Sequence, residues 1–176
     1  MHIVLGRFQP FHKGHAHLVE SALEKGPTII AIGSSNAEPS MDNPWNANER
    51  EQMIRTWLAG REAEIVQIPD INDPPNWVKH ATKYHGKGTL VTSDTSTKEL
   101  YEASDFPVDW VELTNRESFE GWRVRATLKM LSTVYEKDAV REVMSASIPL
   151  EVVDWLIEQD AVYRLYTMSR ELEHVG

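Results

Sequence analysis

Apolar segments with strand character alternate with segments of helical spacing over the first two thirds of the chain. The predicted strands are residues 3–5, 28–32, 64–68, 89–92 and 108–113. Between the first two strands, Ala16, Val19 and Leu23 recur at helical intervals. Strands that alternate with helices form a parallel sheet with right-handed crossovers. We therefore predict an α/β fold with a doubly wound, parallel five-stranded sheet.

The last third of the chain has a different pattern, which is helical from Gly121 to the end. Pro149 opens one of its helices, and Trp155 and Leu165 are among the predicted apolar contacts. A length of 176 residues fits one domain. We predict a core over residues 1–120, with residues 121–176 as a helical C-terminal part of the same domain.

Composition and charge exclude several function classes. The formal net charge is −9, from 27 acidic and 18 basic residues, which argues against a nucleic-acid-binding module. Without cysteine, the chain has no disulfide, thiolate zinc site or thiol nucleophile. No apolar run spans a bilayer, and residues 1–6 carry no basic leader. We expect a soluble cytoplasmic protein with no membrane partner.

The positive charge is concentrated in two places. No acidic residue precedes Glu20, whereas this stretch contains Arg7, Lys13 and four of the seven histidines. A second basic segment, residues 116–129, contains three arginines and a lysine. Local cationic segments in an acidic protein suit a small anionic ligand better than a long polyanion. For the second segment alone, chance clustering explains the pattern better.

The loop after the first strand, residues 6–15, carries the strongest chemical pattern. In parallel sheets, ligands bind beyond the carboxyl ends of the strands. His12 and His15 lie three positions apart at a helix start, where backbone N–H groups and the helix dipole favour phosphate. Gly14 lets the backbone approach a ligand closely. The pattern predicts a phosphate site.

A metal site or a purely structural role would also account for parts of this loop. The segment is not a Walker loop, because Gly-x4-Gly-Lys-Ser/Thr is absent. The two histidines could form a metal site, but the glutamate of a metalloprotease helix is missing. A capping and packing role accounts for Pro10, Phe11 and Gly14, but it does not explain Arg7 and the two histidines.

The string GRFQPFHKGH at residues 6–15 resembles the signature of the His-x-Gly-His nucleotidyltransferases. It is very similar to that of the archaeal-type nicotinamide mononucleotide (NMN) adenylyltransferases. Weaker similarities extend to residue 125. They comprise Gly33-Ser34-Ser35, Asn43-Pro44-Trp45, Glu49-Arg50, Asp70-Ile71, Trp77-Val78, Asn115-Arg116 and Glu120-Gly121…Val124-Arg125.

This resemblance implies a Rossmann-like nucleotidyltransferase that transfers AMP from ATP to NMN, giving NAD and pyrophosphate. It implies Mg²⁺ bound mainly through the ATP phosphates, no metal ligand from the protein, and a homo-oligomer. The implied catalytic residues are Arg7, His12 and His15. The implied ATP-binding residues are Gly6, Arg7, Phe8, His12, Gly14, His15, Arg116, Gly121 and Arg125. The implied acceptor-binding residues are Ser34, Asp70 and Trp77.

The chain departs from the family pattern mainly in its acceptor half. Pro74 replaces an asparagine three residues before Trp77, and residues 92–95 read Thr-Ser-Asp-Thr instead of Ser-Gly-Asn-Pro. Trp122 replaces a threonine. Either it packs into the core, or cations and backbone N–H groups at this helix start replace the missing hydroxyl. In the same way, Trp77 is either an acceptor-stacking residue or a core aromatic.

Three alternative functions therefore remain open beside NMN adenylyl transfer. One is the same fold and reaction with CTP and a polyol phosphate. Another uses ATP with a different phosphomonoester. The third is a regulator that binds a nucleotide without turnover.

Overall fold

The computed structural model describes residues 1–173, and the side chains up to residue 170. Its five strands form one parallel sheet in the order β3-β2-β1-β4-β5. The strands are β1 (His2–Gly6), β2 (Thr28–Ile32), β3 (Glu64–Gln67), β4 (Thr89–Thr92) and β5 (Val108–Trp110). The predicted doubly wound parallel sheet is confirmed. The strand β5 ends earlier than the predicted residue 113.

Helices connect the strands and make up the C-terminal part. They are α1 (Lys13–Leu23), α2 (Ala47–Leu58), α3 (Pro74–His85), α4 (Thr95–Glu102), α5 (Gly121–Leu131), α6 (Lys137–Met144), α7 (Leu150–Glu158) and α8 (Tyr163–Glu173). A short 3₁₀-helix covers Arg116–Phe119. Pro149 immediately precedes α7, as predicted. Within the described residues, no helix has the length and apolar character needed to cross a membrane.

The chain folds as two compact units, each made of separate segments. The sheet unit contains residues 1–7, 14–37 and 60–114, and the helical unit contains residues 8–13, 38–59 and 115–176. Each unit therefore contains part of the signature loop, residues 6–15. The predicted arrangement, a core over residues 1–120 with residues 121–176 as a helical part of the same domain, stays a prediction from the sequence.

The sheet unit has an apolar core around its central strands. All five residues of β2 are buried, as expected for a parallel strand covered on both faces. One core cluster contains Ile3, Ala31, Ile68, Val78, Ala81, Leu90 and Tyr101. Because β1 pairs with both β2 and β4, its last residue, Gly6, lies at the carboxyl edge of the middle of the sheet.

In the helical unit, Asn46 followed by Glu49 three residues later is a capping pattern that predicts a helix start at Asn46, and the structure confirms it. The Asn46 side chain accepts from the Glu49 N–H, and the Glu49 carboxylate accepts from the Asn46 N–H, which together form a capping box. Arg164 of α8 donates to both oxygens of Glu49, at 2.6 and 2.8 Å. The Trp45 indole, 1 % exposed, donates to the Ala161 carbonyl. These bonds fix the segment before α2.

Candidate active site

The sheet unit presents loops beyond the carboxyl ends of its strands. The Gly33 N–H donates to the Gly6 carbonyl at 2.9 Å, which continues the pairing of β1 and β2 past the strand ends. Arg7 follows and is exposed, whereas Ser34 is half-buried with a left-handed φ of 48°. The predicted residues Gly6, Arg7 and Ser34 therefore all lie at the sheet edge where parallel folds bind ligands.

The first turn of α1 contains two of the predicted site residues. Gly14 is buried and His15 is half-buried, and the helix starts one residue before Gly14. Amide groups at such a start have no partner within the helix and point along its axis. Together with an imidazole they can donate several hydrogen bonds to a phosphate. The predicted phosphate chemistry fits this helix start.

Two of the predicted acceptor residues contact each other in the sheet unit. The Trp77 indole N–H donates to Oδ1 of Asp70 at 3.3 Å. The Trp77 ring also meets the ring of buried Tyr101 edge-on, with centroids 6.4 Å apart. Trp77 is only half-buried, so it combines a core contact with an accessible surface. Pro74, the departure from the family pattern, is the first residue of α3, a position that suits proline.

In the helical unit, the guanidinium of Arg125 bonds to the signature loop. Arg125 is 7 % exposed, and it donates to the Gln9 carbonyl at 2.9 Å and to Oδ1 of Asp42 at 3.1 Å. A Cβ at Gly121 would lie 3.1 Å from Nη1 of Arg125, so a side chain there would crowd the guanidinium. Arg125 and Gly121 are thus neighbours, as their shared motif implies.

Trp122 lies outside the core. Its side chain is 58 % exposed, its indole N–H donates to Glu120 at 2.7 Å, and Arg123 stacks over its ring at 4.9 Å. The interpretation that Trp122 packs into the core is therefore wrong. In α5, which begins at Gly121, Trp122 faces solvent and Arg125 is buried. Arg116, in the short 3₁₀-helix, is exposed.

His12 and Phe8, both from the signature, are buried. His12 is 6 % exposed, and its ring stacks on Phe119 with centroids 6.1 Å apart. Burial lowers the pKa of the His12 imidazole to about 4. At neutral pH, His12 is thus an uncharged ring that can donate one hydrogen bond, not the cation that the sequence suggested. Phe8 is 1 % exposed with φ 52°, and its ring packs near Phe11.

The lowered pKa of His12 predicts a dependence of stability on pH. Between pH 6.5 and 4 the unfolded chain binds a proton at residue 12 that the folded chain excludes, so stability falls as the pH falls. Replacing His12 by glutamine removes this titration, so the fall in unfolding free energy between pH 6.5 and pH 5 should be about 1.5 kcal/mol smaller in the variant. Denaturant titrations of both proteins at each pH measure this. Equal pH slopes would contradict the burial of a neutral His12.

Gln9 is a site residue that the sequence did not identify. Its amide Nε2 donates to the Trp45 carbonyl at 2.7 Å, and its Oε1 accepts from the Trp45 N–H at 3.2 Å. Gln9 is buried, so these bonds lock the signature loop to the segment before α2 within the helical unit. In the sequence, Gln9 is only a polar residue between Phe8 and Pro10. Nothing in that pattern indicates its hydrogen-bond partner, the backbone of Trp45.

Comparison with known proteins assigns the family. The model of the cytidylyltransferase-like family matches residues 3–148. "Nicotinamide-nucleotide adenylyltransferase" of Thermoplasma acidophilum is 30 % identical over 177 residues, which cover 98 % of this chain and 93 % of that protein. The protein of the same name from Ignicoccus hospitalis is 32 % identical, covering 94 % and 95 %.

A solved structure supports the fold assignment. The bifunctional NMN adenylyltransferase/ADP ribose pyrophosphatase from Francisella tularensis superposes with a TM-score of 0.71 at 22 % identity. The match covers 98 % of this chain and 54 % of that one, so this chain spans about half its length. The chain therefore belongs to the cytidylyltransferase-like family of nucleotidyltransferases, together with the archaeal proteins named nicotinamide-nucleotide adenylyltransferase.

Proposed function

We propose that this protein transfers AMP from ATP to NMN, giving NAD and pyrophosphate. One observation carries the proposal. The string at residues 6–15, in a chain about 30 % identical to enzymes of that name over nearly its whole length, joins the end of β1 to the start of α1. A phosphate site at that position is what nucleotidyl transfer requires.

The reaction needs positioning and charge stabilisation more than proton transfer. A phosphate oxygen of NMN attacks the α-phosphorus of ATP. A new P–O bond forms, the bond from the α-phosphorus to the bridging oxygen breaks, and pyrophosphate leaves with the electron pair. The attacking oxygen is already ionised near neutral pH, so no general base is required. The protein accelerates the step by aligning the groups and stabilising the charge on the phosphates.

The signature residues supply donors of different kinds. His15 and the first-turn amides of α1 that follow Lys13 stabilise the charge that develops at the α-phosphate; the Lys13 N–H itself donates to the Ser147 carbonyl at 2.8 Å. Arg7 adds a positive charge, and neutral His12 donates a hydrogen bond to a phosphate. The remaining predicted nucleotide contacts are Gly6, Phe8, Gly14, Arg116, Gly121 and Arg125.

The acceptor binds through residues of the loops that follow β2 and β3 and of the first turn of α3. Trp77 stacks on the pyridine ring, Asp70 lies near the carboxamide, and Ser34 contributes a polar contact. The half-buried indole, held by Asp70 at one edge, supports a planar acceptor rather than a polyol phosphate.

Mg²⁺ enters with ATP as part of the substrate complex. Within the described residues, no group of three or more histidine, aspartate or glutamate side chains is arranged to hold a metal ion. Mg²⁺ keeps several waters and binds phosphate oxygens readily, so the ATP phosphates can hold it. The cytoplasmic location and the homo-oligomeric state stay predictions from the sequence and the family resemblance.

A pyrophosphate-release assay tests the proposed function. ATP or CTP is combined in turn with NMN, nicotinate mononucleotide, glycerol 3-phosphate or a phosphopantetheine. We expect turnover with ATP and NMN, with NAD identified as the second product. Turnover only with CTP and a polyol phosphate would assign the cytidylyl reaction. Nucleotide binding without pyrophosphate release from any pair would assign a regulator.

Replacing Trp77 by alanine should raise KM for NMN about tenfold and leave KM for ATP within about twofold. The reason is the loss of an aromatic stacking contact together with its buried area. Steady-state kinetics measure both constants. Trp110 is a matched control, because it lies in the same unit, is partly exposed and donates its indole N–H to Glu112. If both KM values of Trp77→Ala rise together with a lower Tm, Trp77 is a core aromatic.

A further inference from the structure

The side chain of Asn36 pairs with the backbone of Asp70 in both directions. Its Nδ2 donates to the Asp70 carbonyl at 3.1 Å, and its Oδ1 accepts from the Asp70 N–H at 2.8 Å. A primary amide that donates to and accepts from one residue acts as a neighbouring peptide group does in a sheet. Asn36 is exposed, so burial of its own surface does not explain this arrangement.

These two bonds extend the pairing of β2 and β3 into the loops that follow them. Beyond the strand ends, the Ile68 N–H donates to the Ile32 carbonyl at 2.8 Å, and the Ser35 N–H donates to the Ile68 carbonyl at 3.0 Å. The Asn36 amide supplies the next pair of bonds, this time to Asp70. Asn36 therefore determines where the backbone of Asp70 lies relative to the sheet.

The position of Asp70 then affects Trp77. Oδ1 of Asp70 accepts from the Trp77 indole at 3.3 Å. Within the described part of the chain, Asp73, the residue before α3, makes no side-chain cap bond to the helix backbone, and its Oδ2 accepts from the Asn76 side chain at 2.8 Å instead. The Asp70 carboxylate is the polar contact of the Trp77 indole, and a shift of Asp70 reaches the indole through this hydrogen bond.

We propose that Asn36 is a positioning residue for the acceptor. By holding the backbone of Asp70 it fixes the orientation of Trp77, and so it sets the affinity for a planar pyridine nucleotide. It does not touch the reacting atoms. The proposal rests on the proposed function, in which Trp77 stacks on the acceptor ring.

The test compares Asn36→Ala with the wild-type protein. We expect KM for NMN to rise about three- to tenfold, because two hydrogen bonds are lost, while KM for ATP stays within about twofold. Exchange of the Asp70 amide hydrogen, followed by NMR, should become faster. Ser104→Ala is the control. Ser104 lies in the same unit, on the segment that leads into β5, and the substitution removes an exposed hydrogen bond to the Leu100 carbonyl. It should change neither constant.

A double-mutant cycle separates positioning from a general structural effect. In the Trp77→Ala background, Asn36→Ala should have little further effect on KM for NMN, because its influence passes through the indole. If the two substitutions raise KM for NMN independently, so that their effects multiply in the double variant, the proposal is overturned. An equal rise of KM for NMN and KM for ATP in Asn36→Ala would also overturn it. Calorimetry with NMN distinguishes the two levels of inference. A wild-type protein that does not bind NMN overturns the proposed function as well, whereas binding that Asn36→Ala leaves unchanged overturns the positioning role alone.

Discussion

Replacing His15 by alanine should lower kcat at least about a hundredfold and change KM for ATP much less. His15 lies half-buried in the first turn of α1, where the imidazole and the helix amides can meet the same phosphate. Charge at the α-phosphate is largest in the transition state, so a donor aimed there acts mainly on kcat. Loss of one such donor typically costs about 10² or more in rate. Steady-state kinetics with pyrophosphate detection measure the effect.

The matched control for this prediction is His17→Ala. His17 belongs to the same helix and is exposed, so its removal deletes an imidazole without touching the first turn. We expect its kcat to stay within about twofold of the wild-type value. A near wild-type kcat for His15→Ala would remove His15 from the catalytic residues, whatever the control does.

Replacing Arg125 by alanine should weaken ATP binding by about 1.5–3 kcal/mol, which is about ten- to a hundredfold in Kd. The loss should be smaller for AMP, which lacks the β- and γ-phosphates. The structure adds a second expectation. Arg125 is buried and donates to the Gln9 carbonyl, so its removal should also lower the unfolding free energy by about 1–3 kcal/mol.

Calorimetric titrations of ATP and AMP, performed where both proteins are folded, separate the two roles of Arg125. Arg141→Ala is the control, because Arg141 also lies in the helical unit and pairs with an acid, Asp154, in a partly exposed ion pair. Its removal should change stability slightly and ATP affinity not at all. If Arg125→Ala loses little affinity, and equally little for ATP and for AMP, the role of Arg125 is limited to holding the signature loop through the Gln9 carbonyl.

The predictable part of the fold is the part with a local signal. The alternation of strands and helices and the capping pair Asn46 and Glu49 are visible in short windows, and the structure confirms both. No pattern in the sequence around residue 110 marked the end of β5. Its partner β4 stops at Thr92, so residues 111–113 extend past the end of the strand with which β5 pairs. Strand length at a sheet edge depends on the neighbour as much as on the segment itself.

The candidate site divides in the same way. The string at residues 6–15 is contiguous, so the family, and with it the proposed phosphate chemistry, can be inferred from the sequence without coordinates. The proposed acceptor residues come from segments far apart in the chain. Asn36 and Asp70 are 34 residues apart, and the sequence offered no reason to pair them.

The sequence by itself determined the fold class, the proposed phosphate-binding loop and the family, because periodicity and a contiguous motif are local properties. Only the tertiary structure decided the environment of each side chain. It buried His12 and made it neutral, exposed Trp122 to solvent and bonded Arg125 to residues 9 and 42. Burial, and with it the pKa and the hydrogen-bond partners of a group, is set by packing between distant segments, which no window of the sequence contains.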